Sequence, residues 1–139
     1  MNRFLLVPLF ALTLAAPVQA ATQEEINATL AADPQVWGGL YTLALADQIR
    51  THCPTIEART LRATSFVWSL YNRARDHGYS RSEIRAFQTH PTTEARLRAE
   101  IGAYFTRHGV RDGQPDTYCA LGQAEIAAGT EAGELLRAR

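Results

Sequence analysis

Residues 55–84 read TIEARTLRATSFVWSLYNRARDHGYSRSEI, and this stretch decides the fold class. Ala63, Val67, Leu70 and Ala74 fall along one face of an α-helix, and Phe66, Trp68 and Tyr71 widen that face. The spacing predicts one long helix over 55–77. Gly78 stops it, because glycine takes the left-handed backbone conformation that closes helices without a Cβ penalty. Ser80 and Glu83 then stand at capping-box spacing, and Tyr79 and Ile84 occupy the hydrophobic-staple positions. A new helix therefore starts at Ser80.

Helical signals continue in both directions. Upstream, Thr22 and Glu25 form another capping box, predicting a short helix to about Ala32. Asp33-Pro34 breaks it, Gly38-Gly39 reads as a hinge or turn, and Leu40, Leu43, Ala44, Leu45 and Ile49 predict a second helix ending near Cys53-Pro54. Downstream, Pro91 ends the helix begun at Ser80. A further helix from about Thr93 to His108 carries Leu97, Ile101, Tyr104 and Phe105 on one face. Asp116 is placed to cap a last main helix running to Ala128, closed by Gly129 and followed by a short tail. No segment keeps the strict apolar-polar alternation of a half-buried strand. The expected fold is all-α, a compact bundle of about five to six helices over residues 21–139.

Residues 1–20 read as a cleaved secretory signal: Asn2 and Arg3, an apolar run from Phe4 to Ala16, and a small-residue cleavage site at Val18-Gln19-Ala20. The run is too short to span a bilayer comfortably, and no later segment approaches that length. The expected location is the periplasm. All fourteen basic residues are Arg; without Arg3, thirteen bases face fourteen acids, a balance that argues against nucleic-acid binding. Cys53 and Cys119 are the only cysteines. In an oxidising compartment they most simply pair, closing the bundle with one disulfide, the alternatives being two buried thiols or an intermolecular bridge.

Motifs for chemistry are sparse. His52, His77, His90 and His108 lack the local spacing that sets two imidazoles on one helix face, so no metal site is expected. There is no CxxC pair, no GxSxG and no cofactor motif. Glu125 lies in an otherwise small and apolar helix, where a buried carboxylate needs a partner. Arg59 follows Cys53 by the same interval at which Glu125 follows Cys119, so if both helices run on in parallel the two could form a structural ion pair. Gly122 marks close helix packing. Trp37, Trp68, Tyr71 and Tyr118 are the aromatic residues best able to anchor a partner or ligand. Core packing is the expectation for these, Trp68 above all, with Trp37 beside Gly38-Gly39 as the exception and the candidate contact.

Ala46-Asp47-Gln48-Ile49-Arg50 leading to Cys53, Glu57-Ala58-Arg59, His77-Gly78-Tyr79-Ser80 with Glu83-Ile84, and Cys119-Ala120-Leu121-Gly122 with Glu125-Ile126-Ala127 resemble a family of small alphaproteobacterial proteins known only as a domain of unknown function. The resemblance spans nearly all of residues 21–139. It implies an exported helical protein with a paired cysteine, carries over no catalytic residue, and associates some relatives with respiratory NADH:ubiquinone oxidoreductase genes. The functional expectation is a periplasmic, non-enzymatic binding or accessory module engaging a protein partner, and the gene association points to a link with a respiratory membrane complex. Two alternatives stand beside it. One is a small-ligand-binding protein, which an apolar cavity near Trp37, Trp68 or Tyr71 would favour. The other is a hydrolase using acids such as Glu57 or Glu125, which would need a cleft with a second acid or base.

Overall fold

The computed structural model describes residues 19–139. The expected signal segment lies outside the described residues, apart from Gln19 and Ala20. The fold is all-α, with seven helices among the described residues and one small two-stranded ribbon.

Helix α1 (Gln23–Ala32) begins at the expected capping box, with the Glu25 carboxylate accepting from the Thr22 amide at 2.8 Å. Asp33 both ends α1 and starts α2 (Pro34–His52), its Oδ1 accepting from the amides of Gln35 at 2.9 Å and Val36 at 3.2 Å. Gly38 and Gly39 thus lie inside a helix, not in a hinge. Asp33 satisfies the free amides and Pro34 presets the first helical φ, so α2 starts upstream of both glycines. Gly39 has a packing reason: a Cβ there would stand 2.7 Å from Leu70 Cδ1. Gly38 has none, since a Cβ would meet nothing within 4 Å. Gly38→Ala is therefore expected to stabilise the chain by about 0.5–1 kcal/mol, read as a higher urea midpoint.

The long helix expected over 55–77 is interrupted at its start. Residues Ile56–Ala58 form strand β1, and helix α3 covers only Thr60–Arg75. Pro54 prevents α2 from continuing, and the fully buried Ile56 anchors the next residues as extended chain. Strand β1 pairs antiparallel with β2 (Leu136–Ala138), in the register Ile56 to Ala138, Glu57 to Arg137 and Ala58 to Leu136. Arg137 meets Glu57 across the ladder at 2.7 Å.

Helix α4 (Arg81–Gln88) starts at the Ser80–Glu83 box. Helix α5 (Pro91–Arg107) starts slightly earlier than expected, because His90 caps it through Nδ1. Helix α6 (Pro115–Ala128) has Pro115 in its first turn, which places Asp116 within the helix instead of at its cap. Gly129 closes α6 at φ 64°, and the tail contains a further turn, α7 (Glu131–Glu134).

Two apolar clusters form the interior, and α2 runs through both. Its C-terminal half, with Leu45 and Ile49, joins Ile56, Ile101, Tyr118, Leu121, Leu135 and Leu136. Its N-terminal half, with Val36 and Trp37, joins Ile26, Leu30, Ala74, Ile84 and Phe87. The disulfide Cys53–Cys119 ties the end of α2 to α6, with the Cα atoms 5.0 Å apart. One turn further along α6, Gly122 lies against Ile49 and Ile56, where a Cβ would collide with both side chains.

Candidate functional site

The residues singled out in the sequence separate in space. Glu125 is buried on α6, but its carboxylate accepts from the Tyr104 and Thr130 hydroxyls. Arg59 is exposed at the start of α3 and forms no ion pair among the described residues. The parallel-helix geometry behind the expected pair fails because the chain leaves helix after Cys53. Arg59 caps β1 instead, donating its amide to the Leu135 carbonyl at 2.8 Å. Burial, then the Glu125 carboxylate, push the Tyr104 phenol up to about 12, so Tyr104 stays a donor at any physiological pH. Glu57 is occupied in the ladder by Arg137 and Arg139. Neither acid borders the groove described below.

Trp37 is 8% exposed and engaged within the chain. Its indole N–H donates to Glu100 at 2.9 Å, and the Arg96 guanidinium lies 3.6 Å from its ring centre. Both features an indole offers a partner, its N–H and its face, are thus used internally. The histidines serve local structure: His90 caps α5, His52 stacks on Tyr118 and His108 lies tilted against Tyr104. No group of three potential metal ligands occurs among the described residues.

His77 completes a polar cluster around Asp33. The Asp33 carboxylate, buried at the α1–α2 junction, accepts from His77 Nε2 at 2.8 Å and from Arg73 at 3.0 Å. The His77 bond first, then the Val36 and Gln35 amides and Arg73, outweigh burial and hold this carboxyl at about 2, against an ordinary 3.8. A carboxyl made more acidic by folding stabilises the fold fully above its ordinary value, and that contribution fades as pH falls from about 4 towards 2. Urea unfolding across that window is expected to show Asp33→Asn less stable than the native chain at pH 7 and less sensitive to acid below pH 4.

The surface best suited to binding is the one expected to be core. Trp68 is 53% exposed, Val67 47% and Leu61 89%, all on α3. Between α2, α3 and α4 lies a groove of about 260 Å³ whose floor is Val36, Leu70, Ala74, Ile84 and Phe87 and whose wall is Trp68 and Tyr71. Arg81 and Arg85 of α4 stand at its edge. The capping box at Ser80 aims α4, and hence both arginines, at α3. Helix α3 is too short in apolar residues to bury more than one stripe: Ala74 is its only buried residue, and Leu70, Phe66 and Tyr71 are half-buried. Its sequence carried a sign of this. Leu61 and Trp68, seven residues apart, fall on a face with Thr64 and Arg75, not on the stripe of Ala63, Val67, Leu70 and Ala74, of which Val67 is itself left exposed.

A family model described as a family of unknown function, DUF5333, matches residues 28–137. The chain belongs to the DUF5333 family. No curated protein and no solved structure matches the chain. The matched stretch covers the chain from within α1 to β2, so it includes the disulfide, the groove and both apolar clusters apart from Ile26. In this DUF5333 member the quoted motif residues serve folding: Ala46 and Ile49 fill the core, Gly78 closes α3 at φ 87°, Ser80 and Glu83 cap α4, and Gly122 admits Ile56. The open part of the groove, with Val67, Trp68, Tyr71, Arg81 and Arg85, lies outside those motifs.

Proposed function

We propose that this DUF5333 protein is an exported, periplasmic accessory module of alphaproteobacteria that binds a protein partner without catalysing a reaction. The observation that carries this reading is the exposure of Trp68 and Val67, which both line the apolar groove, with Leu61 exposed further along the same helix. Exposed apolar side chains beside an apolar groove are characteristic of association surfaces, and Trp is prominent among residues that dominate binding energy. Because the partner would be met outside the cytoplasm, a respiratory membrane complex would be engaged only from its periplasmic side. No helix of the described residues is long and apolar enough to cross a membrane.

The test is photocrosslinking in intact cells from a crosslinking amino acid at Leu61 or Val67, with the exposed Arg98 on α5 as control position. A defined adduct from the two α3 positions and not from Arg98 is the expected result. Equal labelling from all three, or none, would overturn the reading. Fractionation of the same cells, with the mature chain starting at Ala21, checks the export it assumes.

A small apolar ligand is the second reading, favoured by the cavity beside Trp68 and Tyr71. Ligand pockets bury most of their ligand's surface. Here the half-exposed Trp68 and Val67 leave the groove open along one side, which suits a side chain delivered by a larger body. Native mass spectrometry of the freshly isolated protein separates the two, since a retained small molecule would add a constant mass.

A further inference from the structure

We infer that the groove between α2, α3 and α4 receives an acidic amphipathic helix, whose large apolar side chain seats against Leu70 and Tyr71 while its flanking carboxylates face Arg75, Arg81 and Arg85. This rests on the partner-binding reading and names the chemistry of the partner. The chain as a whole balances fourteen bases with fourteen acids, yet residues 59–85 hold six arginines against Asp76 and Glu83 alone. Glu83 is occupied by its own capping box, accepting from the Ser80 amide at 2.6 Å. Arg62 and Arg73 are paired with Glu134 and Asp33. That leaves four without a carboxylate within 4.0 Å among the described residues: Arg59, at the opposite end of α3 from α4, and Arg75, Arg81 and Arg85. Arg75 and Arg81 lie 5.8 and 5.7 Å from the centre of the Tyr71 ring, and Arg81 and Arg85 border the groove itself.

An apolar groove edged on one side by uncompensated guanidinium groups selects a segment that is apolar on one face and anionic beside it. Guanidinium groups also match carboxylates in geometry, each able to donate two parallel bonds. The groove is concave, with its floor drawn from α2, α3 and α4, so it is filled by a protruding side chain. A bilayer surface would touch Leu61 and Trp68 but leave that floor empty. A helix laying its apolar face into a groove presents the required protrusion and places charges a turn to either side.

The probes are two synthetic amphipathic helical peptides with the same Leu and Phe face, one flanked by glutamates and the other by lysines. Each is titrated into the isotope-labelled, disulfide-bonded chain at low salt and followed by amide and indole NMR. The glutamate peptide is expected to shift the Trp68 indole and Leu70 and to bind about threefold to tenfold more tightly than the lysine peptide, the range a few exposed ion pairs supply. Arg81→Glu combined with Arg85→Glu should reverse that order, and tight binding of the lysine peptide would show that the variant is folded. Equal affinities, or an order unchanged by the charge reversal, overturn the acidic-partner inference but leave the α3 crosslinks standing. Absent crosslinks would instead remove the partner reading itself. Phosphatidylglycerol vesicles that shift the Trp68 indole when the glutamate peptide does not would overturn the inference in favour of a membrane surface.

Discussion

Replacing both Cys53 and Cys119 with serine is expected to lower the unfolding free energy by about 4 kcal/mol. The bridge joins residues separated by 66 positions, so in the unfolded chain it closes a loop containing β1, α3, α4 and α5. The conformational freedom this denies the unfolded state grows with the logarithm of loop length, and at this length gives about 4 kcal/mol. Small domains have only about 5–15 kcal/mol of net stability, so the double variant should stand near the edge of folding at 37 °C. Urea unfolding followed by circular dichroism, comparing the oxidised chain with the double serine variant, measures the difference directly. A loss below about 1 kcal/mol would mean that the unfolded chain is already compact enough to keep the two segments together.

Gly133→Ala is expected to cost about 3 kcal/mol or more. A Cβ at this position would overlap the carbonyl of Glu125 and stand 2.8 Å from the amide nitrogen of Ile126. These are backbone atoms inside α6, and they cannot turn aside as a side chain can. The contact is tight because Thr130 folds α7 straight back on α6, its hydroxyl accepting from the Gly133 amide at 3.0 Å while also donating to Glu125. Displacing α7 would therefore disturb the buried carboxylate and β2 together. Gly39→Ala is the informative comparison: its clash is with the flexible end of Leu70, so a much smaller loss is expected. Thermal unfolding of the three variants at Gly38, Gly39 and Gly133 should rank them in that order of stability.

The helical architecture was legible because its signals are local. Thr22 with Glu25, Ser80 with Glu83, the break at Asp33-Pro34, and the terminating Gly78 and Gly129 each act within a turn of their own position, and each stands where the sequence places it, although the sequence reading started α2 after Gly38-Gly39 and not at Asp33. What escaped is what depends on distant residues. Strand β1 exists because Leu136–Ala138 pairs with it, and nothing within three residues of Ile56 announces that partner. Glu125 was rightly expected to need a partner on burial, but the partners are Tyr104 and Thr130, supplied by how α5 and α7 pack. The two tryptophans exchange places for a related reason. Trp37 is drawn inward by Glu100 and Arg96 from α5, whereas Trp68 lies one step round the helix from the stripe that meets α2. Apolar periodicity says that a face exists; it does not say whether another element is available to cover it.

The covalent bridge and the groove belong to different apolar clusters. Cys53 and Cys119 hold the cluster built on the second half of α2, while the groove floor, with Val36, Ala74, Ile84 and Phe87, belongs to the other. The molecule therefore has a stapled half and an unstapled half that share one helix. Proteins open in cooperative units of differing stability, and the unit outside the staple is expected to open at the lower free energy. Native-state hydrogen exchange is therefore expected to show the amides of α4 and the end of α3 less protected than those of α6 and the end of α2. The groove proposed for a partner thus lies on the half of the fold that the covalent bridge does not hold.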